Sequence, residues 1–509
     1  MAGLNVIALI SGGKDSFFSI LHCLANGGEV TALANLHPVE DEEDDINSYM
    51  YQTVGHTIIP LYAQALNLPL YRQEILGSVV NTSKDYAETG NDETESITLL
   101  LKKVLKEHPE ANAVSTGAIL STYQRTRVES VAVRLGLTPL SYLWQYPVLP
   151  PYEQASLLRD MAAVGQDARI IKVASGGLDQ SFLWENVAEG KTIKKLGRAM
   201  ARFGENGDGA VLGEGGEFET LAVDGPGVLW KGKIEIEGCE VVGGEGGSAI
   251  WKGRGARVVE KEEGSGKGLK GLRIPDLWDE EFKKILEKLD IASQPLPTSP
   301  SPVLENIPSK PHSPTFPLSE ISSTPSTLTI SNLNSPSSTS SPADQLSTIL
   351  PILRTTLTAH NLTPSHITHT TLLLRHMSTF ASINNIYSTL FTTPNPPSRV
   401  TVACGSTLPL GVDVMLSAIC STDVRERKGL HVQSRSYWAP ANIGPYSQAI
   451  SVPLKIALAT DEDTDTKVVG EAVYLAGQIP LVPASMLVHT RSFAEQAVLS
   501  LQHLFRIGR

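Results

Sequence analysis

Cysteine is scarce, with four in 509 residues: Cys23, Cys239, Cys404 and Cys420. They are scattered and form no C-x-x-C pair. That excludes a disulfide framework and a cysteine zinc site, and it predicts a reducing, cytoplasmic setting. A basic surplus is lacking too. The 42 Lys+Arg stand against 54 Asp+Glu, a formal charge of −12. That balance argues against a broad electrostatic surface for nucleic acid, so no stable nucleic-acid binding is expected. No apolar run reaches the roughly 18 residues of a membrane helix, so no membrane partner is expected. The opening MAGLNVIALISGGKDS has no basic region before its apolar run and no cleavage pattern after it. No signal peptide is expected.

What is present begins at once. Residues 6–10 (VIALI) form a compact apolar run. Ser11, Gly12, Gly13, Lys14, Asp15 and Ser16 follow, and then FFSILHCLAN, which reads as a helix. A buried strand, a glycine turn and a helix N-terminus make a ready anion site, because backbone N–H groups and the helix dipole face the ligand. Gly12 and Gly13 allow close backbone approach. Lys14 supplies a point charge for phosphate. Asp15 can hold a magnesium ion or its waters, and the Ser11 and Ser16 hydroxyls can bond phosphate oxygens. The spacing is not that of G-x-x-x-x-G-K-[ST]. A second strand at 30–36 (VTALANL) gives a βαβ start and hence a parallel sheet. Ligands of a doubly wound sheet sit beyond the C-terminal strand ends, so the backbone at Ala34 and Asn35 is expected to face the ligand.

Two further stretches carry chemistry. After a fourth strand at 113–116 comes STYQRTRVE, opening a helix at 121–129. Arg125 and Glu129 lie four apart on one face and Arg127 lies off it. The pattern suits a salt-bridged surface helix, or arginines recognising phosphate or carboxylate at a strand end. Residues 213–220 (GEGGEFET) set Glu214, Glu217 and Glu219 among glycines before the apolar LAVDGP. This reads as a loop entering a strand. It is either an inert turn or a set of carboxylates for a cationic substrate, a metal or an amine.

SGGKDS after a first strand resembles the pyrophosphate loop of the N-type ATP pyrophosphatases, which split ATP into AMP and pyrophosphate. SGGKDS, SYMYQTVGH, GAILSTYQRTRVE and GEGGEFETLAVDGP occur in that order over residues 1–238. Together they resemble the diphthine–ammonia ligase family. The resemblance implies an α/β fold with an N-terminal doubly wound parallel sheet of the adenine nucleotide alpha hydrolase-like, HUP type. It implies amidation of diphthine on translation elongation factor 2 by ammonium, with ATP and Mg2+. Lys14, Asp15, Arg125, Arg127, Glu217 and Glu219 are then the catalytic candidates. Ser11, Gly12, Gly13, Lys14, Asp15, Ser16, Ala34 and Asn35 would hold the nucleotide, with Asp15 on the metal. Glu214, Glu217, Glu219, Tyr123 and Gln124 would meet the substrate. Asn47 and Thr122 depart from the family pattern, which has Asp at each. Two rival readings are a tRNA-modifying ATP pyrophosphatase, disfavoured by the acidic balance and by the single cysteine before Cys239, and a non-catalytic ATP-binding scaffold.

The ligase-like domain is expected over 1–240. An extension follows over 241–292, with a loop or frayed stretch at 252–270 and a closing helix at 275–291. Residues 293–325 are dense in Pro, Ser and Thr and read as a low-complexity linker. Over 326–430 the β-α-β-α-β-β pattern and Asn395-Pro396-Pro397-Ser398-Arg399 resemble the Rid (reactive imine deaminase) family. In that family the arginine binds a substrate carboxylate, and Arg399 matches it. A second copy over 437–509 carries Gly444-Pro445-Tyr446-Ser447 and stops before any strand bearing the arginine. Both copies are expected to be α+β, the second truncated, and the abrupt end predicts a shortened chain. Arg399 and Tyr446 are complementary half-sites. Rid proteins are trimers with sites between subunits, so the halves are expected either to meet or to serve assembly as an oligomer. Enamine hydrolysis there would supply ammonia locally.

Overall fold

The computed structural model describes residues 3–39, 50, 54–174, 177–201, 209–244, 247–262, 268–292, 319–335, 341–457, 466–489 and 492–509. Asn47, the acidic run 41–45 and most of 293–325 lie outside the described residues. The chain divides into two compact units: 1–279 with 433–440 and 482–487, and 280–432 with 441–481 and 488–509.

The first unit opens as β1 (Leu4–Leu9), α1 (Lys14–Ala25), β2 (Gly28–His37), α2 (Tyr62–Leu66), β3 (Leu70–Glu74), α3 (Glu95–Glu107), β4 (Ala113–Ser115), α4 (Thr122–Arg134) and β5 (Thr138–Leu140). The strands form one parallel sheet in the order β3-β2-β1-β4-β5. The switch in strand direction of travel falls at β1 and β4, where this architecture places its ligand. β1 is buried on both faces. Val6 and Ala8 join one apolar cluster with Phe17 and Leu140, while Ile7 joins another with Val114 and Leu100. Period-two alternation into two cores is what helices on both faces of a parallel sheet require. On α3 the buried residues Ile97, Leu100, Leu101 and Val104 follow helical spacing.

A second sheet completes the unit after α5 (Ser156–Val164). It uses β6 (Asp167–Val173), β7 (Phe218–Asp224), β8 (Gly232–Gly243) and β9 (Ala249–Glu260), with α6 (Gly190–Met200) between β6 and β7. Its order is β7-β6-β9-β8, antiparallel throughout. The loop expected at 252–270 is therefore corrected over its first part. β9 pairs with β8 from Gly232 opposite Glu260 to Gly243 opposite Ala249. Trp251, Val258 and Val259 are strand formers, but the glycines and charged residues between them hid a strand that pairing with β8 stabilises. This hairpin also runs across the expected boundary at 240.

The second unit begins with α7 (Glu280–Ala292). β10 (Glu320–Ser323), β11 (Thr327–Asn334), α8 (Pro342–Ala359), β12 (Ile367–Leu374), α9 (Phe380–Ser388), β13 (Ser398–Ala403) and β14 (Val414–Ser421) follow. The sheet order is β10-β11-β14-β12-β13, with β12 and β13 parallel. β15 (Lys428–Leu430), β16 (Ala449–Ala457) and β17 (Thr466–Leu475) make an antiparallel sheet, and α10 (Phe493–Gly508) ends the chain. Ser398 of β13 bridges to Ser447 in parallel, so the Arg399 strand adjoins the segment that carries Tyr446.

Candidate active site

The glycine loop is held from three sides. Gly12 takes φ +93°, and a Cβ there would lie 2.6 Å from Ile59 Cδ1. The positive φ is what requires glycine, and a side chain would also push the tip of Ile59 aside. The Gly12 carbonyl accepts from Ala222 N at 2.8 Å and from the Tyr62 hydroxyl at 3.2 Å. Lys14 N donates to Thr220 Oγ1 at 3.0 Å, and Gln166 Nε2 donates to the Lys14 carbonyl at 2.7 Å. Gly117, after β4, packs on the loop so closely that a Cβ would lie 2.8 Å from Asp15 C and Ser16 N. Ser11 Oγ accepts from Gly13 N at 3.3 Å, and Ser16 Oγ donates to the Gly13 carbonyl at 2.9 Å.

These contacts join the two densest motifs into one site. β7 carries Thr220 and Ala222 to the loop, and the turn before it carries the acids. Lys14 Nζ donates to the Leu212 carbonyl at 2.6 Å and to Asp15 Oδ2 at 2.8 Å. Glu214 Oε2 accepts from Leu120 N at 2.9 Å, tying the turn to the segment ahead of α4. Burial, then the negative charge of Asp15, pushes the Glu214 carboxyl up to about 7; Leu120 N–H and Lys14 oppose this and Glu217 adds to it. Burial likewise raises Asp15 against the pull of Lys14. Beside the loop, Leu221 lines a cavity of about 240 Å³ with Ile58, Ile171 and Trp251 and with Glu240, Lys252 and Arg254, so its wall is mixed apolar and charged.

The comparisons bear on this geometry. The family profile "Diphthamide synthase N-terminal domain" matches residues 4–139, and "Diphthamide synthase C-terminal domain" matches 153–265. "Endoribonuclease L-PSP" matches 330–421, the Rid-type fold of the second unit. A diphthine–ammonia ligase of Schizosaccharomyces pombe is 37% identical over 517 residues, 99% of this chain and 78% of its own. The chain belongs to the diphthine–ammonia ligase family. The Saccharomyces cerevisiae relative is 35% identical over 98% of this chain and 72% of its own. The human relative is 46% identical over 47% of this chain and 85% of its own. Among solved structures, a Rid-family protein from Yersinia pestis aligns with 21% of this chain and 88% of its own at 23% identity, with a TM-score of 0.19.

Within this ligase-family site the other expected residues take varied places. Ala34 is buried, and its carbonyl accepts from Ile10 N at 2.9 Å. Asn35 is a strand clamp: Nδ2 donates to the Ile10 carbonyl at 2.9 Å and Oδ1 accepts from Arg72 Nε at 3.1 Å. Arg125 is buried, pairs with Glu129 Oε2 at 2.6 Å and lies over Trp144. The helix is therefore salt-bridged, but inside the unit and not on its surface. Arg127, also buried, donates to the carbonyls of Asn81, Ser83 and Tyr123 and lies over the Tyr123 ring. Gln124 N donates to Ser121 Oγ, the helix cap, at 3.3 Å; Thr122 is the first residue of α4. Glu217 Oε2 accepts from Gly215 N in its own turn at 3.0 Å, and Glu219 pairs with Lys172 at 3.2 Å. Gln166 and Tyr62 were not foreseen, having no motif around them; Thr220 lay inside one, and its hydroxyl at a strand start was the available signal.

Asp15 Oδ1 is buried without a hydrogen-bond partner among the described residues. One such oxygen beside a phosphate loop fits Mg2+, which takes one or two carboxylates and completes its shell with phosphate and water.

In the second unit Arg399 and Tyr446 do meet. The Arg399 guanidinium lies 5.1 Å from the Tyr446 ring centroid and 4.7 Å from that of Tyr387. It is 3% exposed, and neither Nη1 nor Nη2 has a hydrogen-bond partner among the described residues. Asn384 Oδ1 is likewise unpartnered, and a Cβ at Gly444 would lie 2.7 Å from Arg399 Nη2 and 3.3 Å from that oxygen.

Proposed function

We propose that this chain amidates diphthine on translation elongation factor 2, using ATP and ammonium and releasing AMP and pyrophosphate. The observation that carries the reading is the joining of the SGGKDS loop to the acidic turn's flanks through Thr220 and Leu212, while Glu214 ties the same turn to Leu120, in a chain of this family. The diphthine carboxylate oxygen attacks the α-phosphorus, and the bond to the β-phosphate oxygen breaks. Pyrophosphate leaves toward the loop, where Lys14 and the N-terminus of α1 offset its charge. Lys14 exchanges its Leu212 and Asp15 contacts for phosphate oxygens when ATP enters. Mg2+, held by Asp15 and the phosphates, would supply further charge neutralisation. Ammonia then attacks the acyl carbon, AMP leaves, and one proton is released. Glu214 is suited to take a proton from ammonium near neutral pH, since burial raises its carboxyl to about 7.

The test is incubation with diphthine-bearing elongation factor 2, Mg-ATP and 15N-ammonium. AMP and incorporated label should appear together, and both should vanish in Lys14→Ala. AMP without label would mean that another group is adenylated; neither signal would leave an ATP-binding scaffold.

The unpaired guanidinium favours a second reading for the second unit: Arg399 receives a small carboxylate, with Tyr446 and Tyr387 as the pocket wall. If that site feeds ammonia to the ligase, Arg399→Ala should lower amidation when an enamine-generating system replaces added ammonium. Equal rates would end the idea.

A further inference from the structure

Residues 433–440 come late in the chain, yet they are part of the first unit. Tyr437 belongs to its apolar core, and Ser434, Ser436 and Ala439 are fully buried. Arg435 lies on the open edge of β5: Arg435 N donates to the Pro139 carbonyl at 3.0 Å and Ser141 N to the Arg435 carbonyl at 2.9 Å. An exposed parallel edge is thereby covered.

The stronger contacts go to two helices. Glu129 Oε1 accepts from Gln433 N at 3.1 Å, from Ser434 N at 2.8 Å and from Ser434 Oγ. The other oxygen of that carboxylate pairs with Arg125, and both side chains are nearly fully buried. A buried ion pair is tolerated when its remaining hydrogen-bonding capacity is filled. Here the donors on Oε1 come from 433–434, so the pair inside α4 is completed by a segment some 300 residues away. Tyr437 does the same for α1. Its hydroxyl lies 3.0 Å from His22 Nδ1 and accepts from Asn26 Nδ2 at 2.7 Å, at the helix's last turn and cap. The N-terminal ends of both helices border the site, a turn or more away from these contacts. The first turn of α1 is Lys14, Asp15 and Ser16. The segment entering α4 carries Gly117, packed on Asp15, and Leu120, bonded to Glu214. Helices are stiff over such lengths, about 18 Å for twelve residues. A grip on their bodies therefore sets where their N-termini stand.

We propose that Ser434 and Tyr437 are positioning residues for the nucleotide site, holding α1 and α4 so that their N-termini keep the spacing ATP requires. This rests on the reading of that site as an ATP site. The test uses the full chain with Ser434→Ala, Tyr437→Phe and the double variant, measuring amide hydrogen exchange at 12–16 and 117–124 and the Kd for Mg-ATP well below the melting temperature. Exchange at those N-terminal segments should quicken, and the double variant should bind Mg-ATP about tenfold more weakly, with KM for ATP rising in parallel. Tyr437→Phe keeps the ring packed, so it serves if Ser434→Ala does not fold. A strap that only stabilises would lower the melting temperature while leaving exchange at 12–16 and 117–124 and the Kd within twofold of the parent; that result overturns the proposal. Should the parent bind Mg-ATP without forming amide, the ligase reading fails while the exchange and Kd comparison still decides this one.

Discussion

Gly12 is the residue on which the site turns. Its φ of +93° disfavours any side chain, and one placed there would displace the Ile59 Cδ1 methyl. Gly12→Ala should cost upwards of about 1 kcal/mol, since alanine at positive φ is strained. It should also weaken Mg-ATP binding more than tenfold by calorimetry; unchanged affinity would detach the loop from the nucleotide. His22 offers a pH test. Burial, with a smaller push from Arg273, lowers its pKa to about 3 from an ordinary 6.5. The unfolded chain takes up the proton first as pH falls. The stability this histidine contributes is therefore complete above about pH 6.5 and is lost between there and about 3, by at most about 1.4 kcal/mol per pH unit. Between pH 7 and 5 the parent's melting temperature should fall further than that of His22→Gln. Parallel slopes would mean that His22 titrates normally.

At the scale of elements, α4 holds a loop as well as a site. Arg127 reaches from it to the carbonyls of Asn81 and Ser83, while Asp92 accepts from Val80 N and Asn81 N in the same loop. Removing the guanidinium takes a charged donor from these partly exposed carbonyls, a loss of up to about 3 kcal/mol. Arg127→Met should therefore speed proteolytic cleavage within 79–91 and lower the melting temperature. If Arg127 instead met phosphate, KM for ATP would rise with cleavage unchanged. This element also shows what the sequence could and could not reveal. β1, α1 and β2 were legible because local signals agree: an apolar run, a glycine turn and a helical pattern. The acidic turn was legible as a motif. The partner of Arg125 was only half legible: Glu129 lies four residues on, but whether the pair is buried depends on Ser434, and no local pattern encodes a contact across that span. Gln166 was invisible for the same reason. β9 was missed because glycine and lysine obscured a period that pairing with β8 enforces.

Across the whole molecule, sequence-distant segments finish both sites, and the Arg399 site tests whether that arrangement is functional. β13 and Tyr446 lie about 45 residues apart in the chain, and the Ser398–Ser447 bridge sets them side by side. A guanidinium buried with Nη1 and Nη2 unpartnered opposes folding, because its desolvation is not repaid by hydrogen bonds. Burial accordingly lowers the Arg399 pKa, with the phenols of Tyr387 and Tyr446 acting the other way. Such a group persists where a ligand supplies the missing charge, and a carboxylate matches the guanidinium fork with two parallel bonds. Arg399→Met keeps the length and the apolar packing against Tyr387 and Phe380 and removes the charge. Without ligand, the variant should melt a few degrees higher than the parent. With millimolar pyruvate as the probe, the parent should gain stability in proportion to occupancy, and the variant should gain none. A variant that melts lower than the parent, in a protein indifferent to pyruvate, would make Arg399 a structural cation and leave the second unit without a carboxylate site.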